Sequence, residues 1–366
     1  MTNEINLIAI AEQFTSQGQV TRIQSLGNGN INDTFLVNLD SPEKKHFVLQ
    51  RINTQVFGQP ELVMQNMRIL TDHVSQNLKL TPANRRWEVP RVLLTQDGQN
   101  LWRDENNGCW RAISFVDNAQ SFDTLADNSH APEIGYALGM FHNLISDLPP
   151  AKLADTLPGF HITPIYLQQY EDILTKTQPQ TSPEINYCLQ FVSSRTTFAH
   201  ILEDAKATGK LPLRLIHGDP KINNVLFDTA TQKAVSIIDL DTVKPGLIHY
   251  DIGDCLRSGC NLAGEETDQW QNVSFNTDLC QGILQGYLDV AQAFLTENDY
   301  TYIYAAIRLI SFELGLRFFT DYLAGNVYFK IKYPEHNLAR ALVQFKLTES
   351  IEAQETKIRQ IIADLK

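Results

Sequence analysis

The chain of 366 residues is short of positive charge, with 30 Lys and Arg against 42 Asp and Glu and a formal net charge of -12. A surface of that sign repels phosphate-rich polymers and anionic lipid, so neither nucleic acid nor a membrane surface is expected as a partner. Any phosphate-bearing ligand then needs a few cations placed by the fold. Cysteine is scarce. Cys109, Cys188, Cys255, Cys260 and Cys280 are odd in number and contain no C-x-x-C pair, which argues against a disulfide framework and a zinc site. No apolar run approaches the ~18 residues of a spanning helix. The opening MTNEINLIAIAEQF lacks the basic start and long apolar core of a leader, so the cytoplasm is the expected compartment. Internal repeats and low-complexity segments are missing too. What is present, 43% hydrophobic and 9% aromatic residues, can bury a sizeable core, and the length suggests about two domains.

The most informative stretch is LRLIHGDPKINNVLFD followed by TATQKAVSIIDLDT, from Leu213 to Thr242. Leu213, Leu215 and Ile216, then Val225 to Phe227, then Ala234 to Ile238 read as apolar strands with polar residues at their ends. Asp219, four intervening residues and Asn224 reproduce the spacing that protein kinases use for a catalytic base and a metal-holding Asn. Asp239, at the end of the last strand, stands where those enzymes put their principal Mg²⁺ ligand.

Phosphoryl transfer explains these residue types. An attacking hydroxyl must be oriented and must lose its proton, which a carboxylate on a rigid loop can accept: Asp219. Mg²⁺ is a hard cation that prefers oxygen, so an amide oxygen and a carboxylate suit it: Asn224 and Asp239. Lys221 can direct its ammonium at the phosphoryl group in transit. An HGD triplet alone is an ordinary turn. It is HGD-x-x-x-x-N with the later I-D-L-D strand end that makes the pattern specific.

HGDPKINNVLFD with IDLDT resembles the aminoglycoside phosphotransferase and choline kinase superfamily. LGNGNINDTFLV, VLQRIN, LPGFHITP, PGLIHYDIGDCLRSGCN and ELGLRFFTDYLAGNVYFK narrow the resemblance to the N-acetylhexosamine 1-kinase group. It covers nearly the whole chain. The implied fold is a two-lobed, protein-kinase-like α+β fold, with a small antiparallel β-sheet lobe over residues 1–116 and a larger, mainly helical lobe over 117–366. The implied co-substrate is ATP with Mg²⁺, acting on a small-molecule acceptor.

Within that frame the hairpin LGNGN at 26–30, with Gly27 and Gly29, covers nucleotide phosphates, although Asn-Gly is also a plain hairpin signal. HFVLQRIN at 46–53 is the third strand. The Lys that kinases carry there is missing, and its place falls on Gln50 or Arg51 according to register; Arg51 is the candidate nucleotide anchor. Pro60 opens a helix to about Leu78. Its Glu61 either pairs with the strand cation or complements the helix dipole. Strands at 89–95, 99–103 and 109–116 complete a sheet expected to have five strands. The resemblance assigns the adenine contacts to the backbone near Phe115 and Val116.

Helices follow from Pro132, at 166–174, at 185–202, and from Thr267 onward. His142 reads as a satisfied core residue, and Asp251 and Asp254 as anchors of the catalytic loop and a helix cap. Arg317 and Asp321 are spaced as an ordinary helix pair; the resemblance instead makes Arg317 and Tyr328 sugar contacts, joined by Asn30. The resulting expectation is phosphorylation of the anomeric hydroxyl of an N-acetylhexosamine. The rivals are an aminoglycoside, choline or homoserine kinase, and a pseudokinase that binds without turnover. A protein kinase is disfavoured, since no A-P-E element follows Asp239 at the usual distance.

Overall fold

The computed structural model describes residues 6–15, 18–27, 31–41, 45–80, 83–125, 128–177 and 181–366. Its first part is helix α1 (Leu7–Glu12), strands β1 (Gln19–Ser25), β2 (Asp33–Asp40) and β3 (His46–Ile52), helix α2 (Pro60–Leu80), and strands β4 (Val92–Leu93), β5 (Trp102–Arg103) and β6 (Cys109–Ser114). The strands form one antiparallel sheet of six, not five, in the order β1-β2-β3-β6-β4, with β5 also on β6. The sixth arises because β4 and β5 each pair with β6 separately, over two residues each, although a tight turn joins Thr95 to Gln99.

One face of the sheet packs Phe47, Leu49, Trp110 and Ala112 against Ile10, Ala11 and Phe14 of the α1 segment. The other face meets the apolar stripe of α2, Val63, Met64, Met67, Leu70 and Val74. That cluster continues into Met140, Phe141, Leu144 and Ile145 and into Leu215, Ile237, Leu240 and Val243. One apolar seam therefore joins the small lobe to the large one. Each fully buried side chain in it contributes about 1.5–3 kcal/mol.

The large lobe runs β7 (Ala119–Gln120), α3 (Ala131–Ile145), α4 (Thr163–Lys176), α5 (Pro183–Ser193), α6 (Ile201–Ala207), β8 (Arg214–Ile216), β9 (Val225–Asp228), β10 (Ala234–Ile237), β11 (Lys244–Gly246), α7 (Ile248–Gly259), α8 (Thr277–Ala291), α9 (Glu297–Leu323), α10 (His336–Ala353) and α11 (Glu355–Asp364). The helix expected at 185–202 is two helices. Ser193 and Ser194 turn their hydroxyls onto the carbonyls of Gln190 and Phe191 at 3.0 Å each, which competes with the helix ladder. Pro245-Gly246, a pair that sequence alone marks as a break, lies in a strand: β11 pairs antiparallel with β8 in a two-stranded sheet, an edge position that tolerates proline.

Two elements brace the segment between β8 and α7. The 27-residue α9 starts on a capping box between Thr296 and Asp299, and both Asp299 oxygens also accept from Arg214 of β8 at 3.0 Å. Behind them α3 and α8 cross with backbones almost touching: a Cβ on Gly135 would lie 1.8 Å from the Ile283 carbonyl oxygen, and one on Gly286 1.9 Å from that of Pro132. Gly135→Ala is therefore expected to cost about 1–3 kcal/mol by overpacking. Urea unfolding should show it as a lower midpoint at unchanged slope.

Candidate functional site

The expected chemistry-bearing residues meet at the ends of β8 and β10. Asp219 Oδ2 lies 2.9 Å from Lys221 Nζ, and both side chains are about a third exposed. The Asp219 carboxylate holds the Lys221 ammonium well above the ordinary lysine range. Asn224 donates from Nδ2 to the Asp219 carbonyl at 2.7 Å, leaving its amide oxygen for another partner. Its own carbonyl accepts the Ile238 N–H at 2.8 Å, so the loop and the end of β10 are tied together. Asp239 itself has φ 65°, a left-handed backbone that Asp tolerates better than most residues and that clusters at functional sites.

Asp251 explains the rigidity of this loop. Its carboxylate accepts the backbone N–H groups of His217 at 2.6 Å and Gly218 at 2.8 Å. It also accepts from His142 Nε2 at 2.8 Å, while His142 Nδ1 lies 3.1 Å from the Tyr287 hydroxyl. The expected anchor role of Asp251 and core role of His142 hold. Asp254 instead pairs with Arg257 at 2.8 Å and caps no helix: α7 has Leu247 at its N-cap. His217 donates from Nε2 to the Ile238 carbonyl at 2.9 Å and accepts the Asp219 N–H on Nδ1 at 3.2 Å. It is therefore a neutral imidazole, and burial lowers its pKa.

Asp239 is the electrostatic centre. Although Asp239 reaches solvent, desolvation by the protein around it, then the neighbouring carboxylates Asp241 and Asp219, push its pKa up to about 7. A solvent-reaching carboxyl crowded by two others, on a turn tied to Asn224 through the Ile238 N–H, is a group that a divalent cation would relieve, so Asn224 and Asp239 fit Mg²⁺. Mg²⁺ takes most of its ligands from water and phosphate and needs only one or two protein side chains.

The nucleotide-side candidates are divided by the pleat of β3. Arg51 pairs in register with Trp110 and its guanidinium lies 5.9 Å from that ring, on the face covered by α1. Gln50, on the opposite face, donates to Thr34 and accepts from Arg111. The structure thus does not bring Arg51 to Asp239 and Lys221. Glu61 pairs with Arg103 at 2.5 Å and not with β3. Gly27 has φ 70°; Gly29 and Asn30 lie outside the described residues. Val116 is buried, and Phe115 sits edge-on to His46 at 5.9 Å.

Arg317 and Tyr328 do come together. Both line a cavity of about 860 Å³, with Phe160, Tyr166 and Phe329 from the large lobe and Gln55 and Gly58 from the β3–α2 connection. The Arg317 guanidinium lies 5.0–5.5 Å from the Tyr166, Phe160 and Phe329 rings. Among the described residues it has no carboxylate partner. Asp219 does not line this cavity, but its charge acts on Arg317.

Sequence reasoning missed the link between cavity and loop. His161, at φ 63°, approaches the Gly218 carbonyl with Nε2 at 2.7 Å and Glu313 Oε1 with Nδ1 at 2.9 Å. Two acceptors imply an imidazolium. Burial opposes that charge, yet Glu313 outweighs it and raises the pKa. The histidine in LPGFHITP was a visible signal; its partner, 152 residues away, was not.

A family model for the phosphotransferase enzyme family matches residues 22–283. Among solved structures, the chain is similar to an aminoglycoside phosphotransferase from Alicyclobacillus acidocaldarius, at 14% identity and TM-score 0.62 over 100% of this chain and 98% of that one. A microcompartment-associated aminopropanol kinase matches at 16% and 0.65 over 96% and 98%. A spectinomycin phosphotransferase solved with ADP and spectinomycin matches at 12% and 0.55 over 95% and 97%. Identities this low speak for the fold.

The His161 pair gives a signed pH dependence. A pKa raised on folding contributes stability that is full below the ordinary histidine value of 6.5 and is lost as pH rises through the folded pKa. Between about pH 6 and pH 9, wild type should lose unfolding free energy relative to His161→Gln; parallel curves would remove the imidazolium assignment.

Proposed function

Because the chain belongs to the phosphotransferase enzyme family, we propose that it transfers the γ-phosphoryl group of ATP to the anomeric hydroxyl of an N-acetylhexosamine. That it is a small-molecule phosphotransferase acting on a hydroxyl follows from the family; the acceptor, the metal and the residue roles are our reading. In that reading the acceptor oxygen bonds to the γ-phosphorus, the bond from phosphorus to the β–γ bridging oxygen breaks, and ADP leaves. Asp219 accepts the hydroxyl proton. Lys221 stabilises the charge on the phosphoryl oxygens. Mg²⁺ held by Asn224 and Asp239, when bound, neutralises phosphate charge. The fixed backbone around Asp251 keeps the base aimed without reorganisation.

The acceptor assignment rests on the charge of the cavity wall. Aminoglycosides and choline are cations, and recognising them calls for unspent carboxylates. Here Asp155 is paired with Lys244 at 2.7 Å. Asp321 is occupied by the backbone N–H groups of Val327, Tyr328 and Phe329 at 2.8–3.0 Å. Asp172 sits exposed beside Gln168. Its charge is offset by Lys176, exposed one turn further along the same wall, and Arg317, without an ion-pair partner among the described residues, is a fork of donors suited to an acyl oxygen or ring hydroxyls. Aromatic rings around it suit the apolar face of a pyranose. An anomeric hydroxyl is also more acidic than an ordinary alcohol, which eases the proton transfer asked of Asp219.

An ADP-release screen across N-acetylhexosamines, free hexosamines, choline and kanamycin tests the acceptor. N-acetylhexosamine turnover is expected, with phosphorus coupled to H1 in the product. Phosphate on C6, or preference for a cation, would sink the acceptor assignment. Arg317→Ala should lower kcat/KM for the sugar about tenfold, as loss of a buried donor does, and leave the KM for ATP nearly unchanged. Asp239→Asn should lose at least about 100-fold in kcat.

A further inference from the structure

Kinases carry a cation on the third strand of the small sheet, and β3 offers none on its cleft side, where Gln50 stands. Directly across the ladder from Gln50 is Arg111 of β6. It is 1% exposed, within the run CWRAISFV. Its Nε donates to Gln50 Oε1 at 2.9 Å, and its Nη1 donates to Asp241 Oδ1. The other Asp241 oxygen accepts from Asn32 Nδ2 at 2.6 Å. Asn32 Oδ1 in turn accepts the Asn53 N–H, where β3 ends, at 2.9 Å.

A buried ion pair of this kind adds little stability over an apolar pair of similar size, so what it positions matters more. Asp241 stands two residues after Asp239, and Asn32 directly precedes β2. The chain Gln50–Arg111–Asp241–Asn32 therefore fastens three things at one point: the sheet, the start of β2 and the turn that presents Asp239.

We propose that Arg111 is the positioning residue that takes over the work of the absent third-strand cation, fixing Asp241 and, through Asn32, the start of β2, so that the Asp239 turn is preset for the phosphates of a nucleoside triphosphate. The proposal rests on the phosphotransferase reading. Arg111 is sealed from solvent and does not touch the nucleotide; it acts through Asp241 and Asn32. Its effect falls on nucleotide binding, whatever the acceptor.

Arg111→Gln alone would strand Asp241 as a buried unpaired carboxylate and unfold the seam. The informative variant is the double one, Arg111→Gln with Asp241→Asn, which removes both charges together. Equilibrium titration of the full chain with Mg-ATP is read beside the thermal unfolding midpoint. A midpoint near wild type with ATP binding weakened about tenfold or more is expected, the loss typical of an outer partner of a ligand-binding group. Full-strength ATP binding by the folded double variant would reduce Arg111 to a structural pair. Asn32→Ala cuts the same chain without leaving Asp241 unpaired and should also weaken ATP binding with little loss of midpoint; unchanged binding there overturns the proposal, even where the double variant does not fold. A wild-type chain that binds no nucleotide overturns the phosphotransferase reading instead.

Discussion

Three carboxylates, Asp219, Asp239 and Asp241, are gathered at the seam between the lobes of an already acidic chain, and much of the local structure answers that concentration of charge. Left alone, such a cluster would protonate or push the turn apart. Lys221 takes Asp219 and Arg111 takes Asp241. Asp239 is left between them, open to solvent at the end of β10, with its pKa displaced to about 7 by desolvation and by its neighbours. The turn is thus built around one uncompensated charge, while the flanking charges are spent on holding shape.

Shape is held by groups outside the motif. Asp251 collects two backbone N–H groups of the His217–Gly218 turn, and the α3–α8 pair stands behind it through His142 and Tyr287. From the other side His161 takes the Gly218 carbonyl and passes the contact to Glu313 on α9. Both the N–H and the C=O of Gly218 are thereby fixed from opposite directions. Asp219 follows immediately, so the position of its carboxylate relative to the lobe is set by buried hydrogen bonds and not by the loop alone.

What could be read in the sequence was local. HGD, Asn224 and Asp239 lie within one strand-loop-strand unit, and spacing alone brings them together. The apolar stripe of α2 was equally legible, since it follows helical periodicity. Arg111 and His161 were not, because their partners are 130 and 152 residues away and no periodicity encodes such pairings. The choice between Gln50 and Arg51 also depended on tertiary structure. A strand pattern says that neighbours face opposite ways, but which face meets the cleft is fixed by the ladder with β6. An Arg inside CWRAISFV was a usable warning, because a guanidinium in an apolar strand needs a buried counter-charge.

On the proposed reading, α9 joins acceptor choice to loop geometry. Glu313 and Arg317 are one helical turn apart and so share a face. Glu313 works inward, on His161 and on Thr163 at 2.6 Å, while Arg317 faces the aromatic-walled cavity. A group that binds Arg317 pulls on the same turn that holds the Gly218 carbonyl. On the proposed reading, the charge presented at position 317 would sort acceptors by sign, whereas Glu313, one turn earlier, holds the loop through His161. Changing the sign of the cavity without disturbing the loop requires only that Glu313 stay in place.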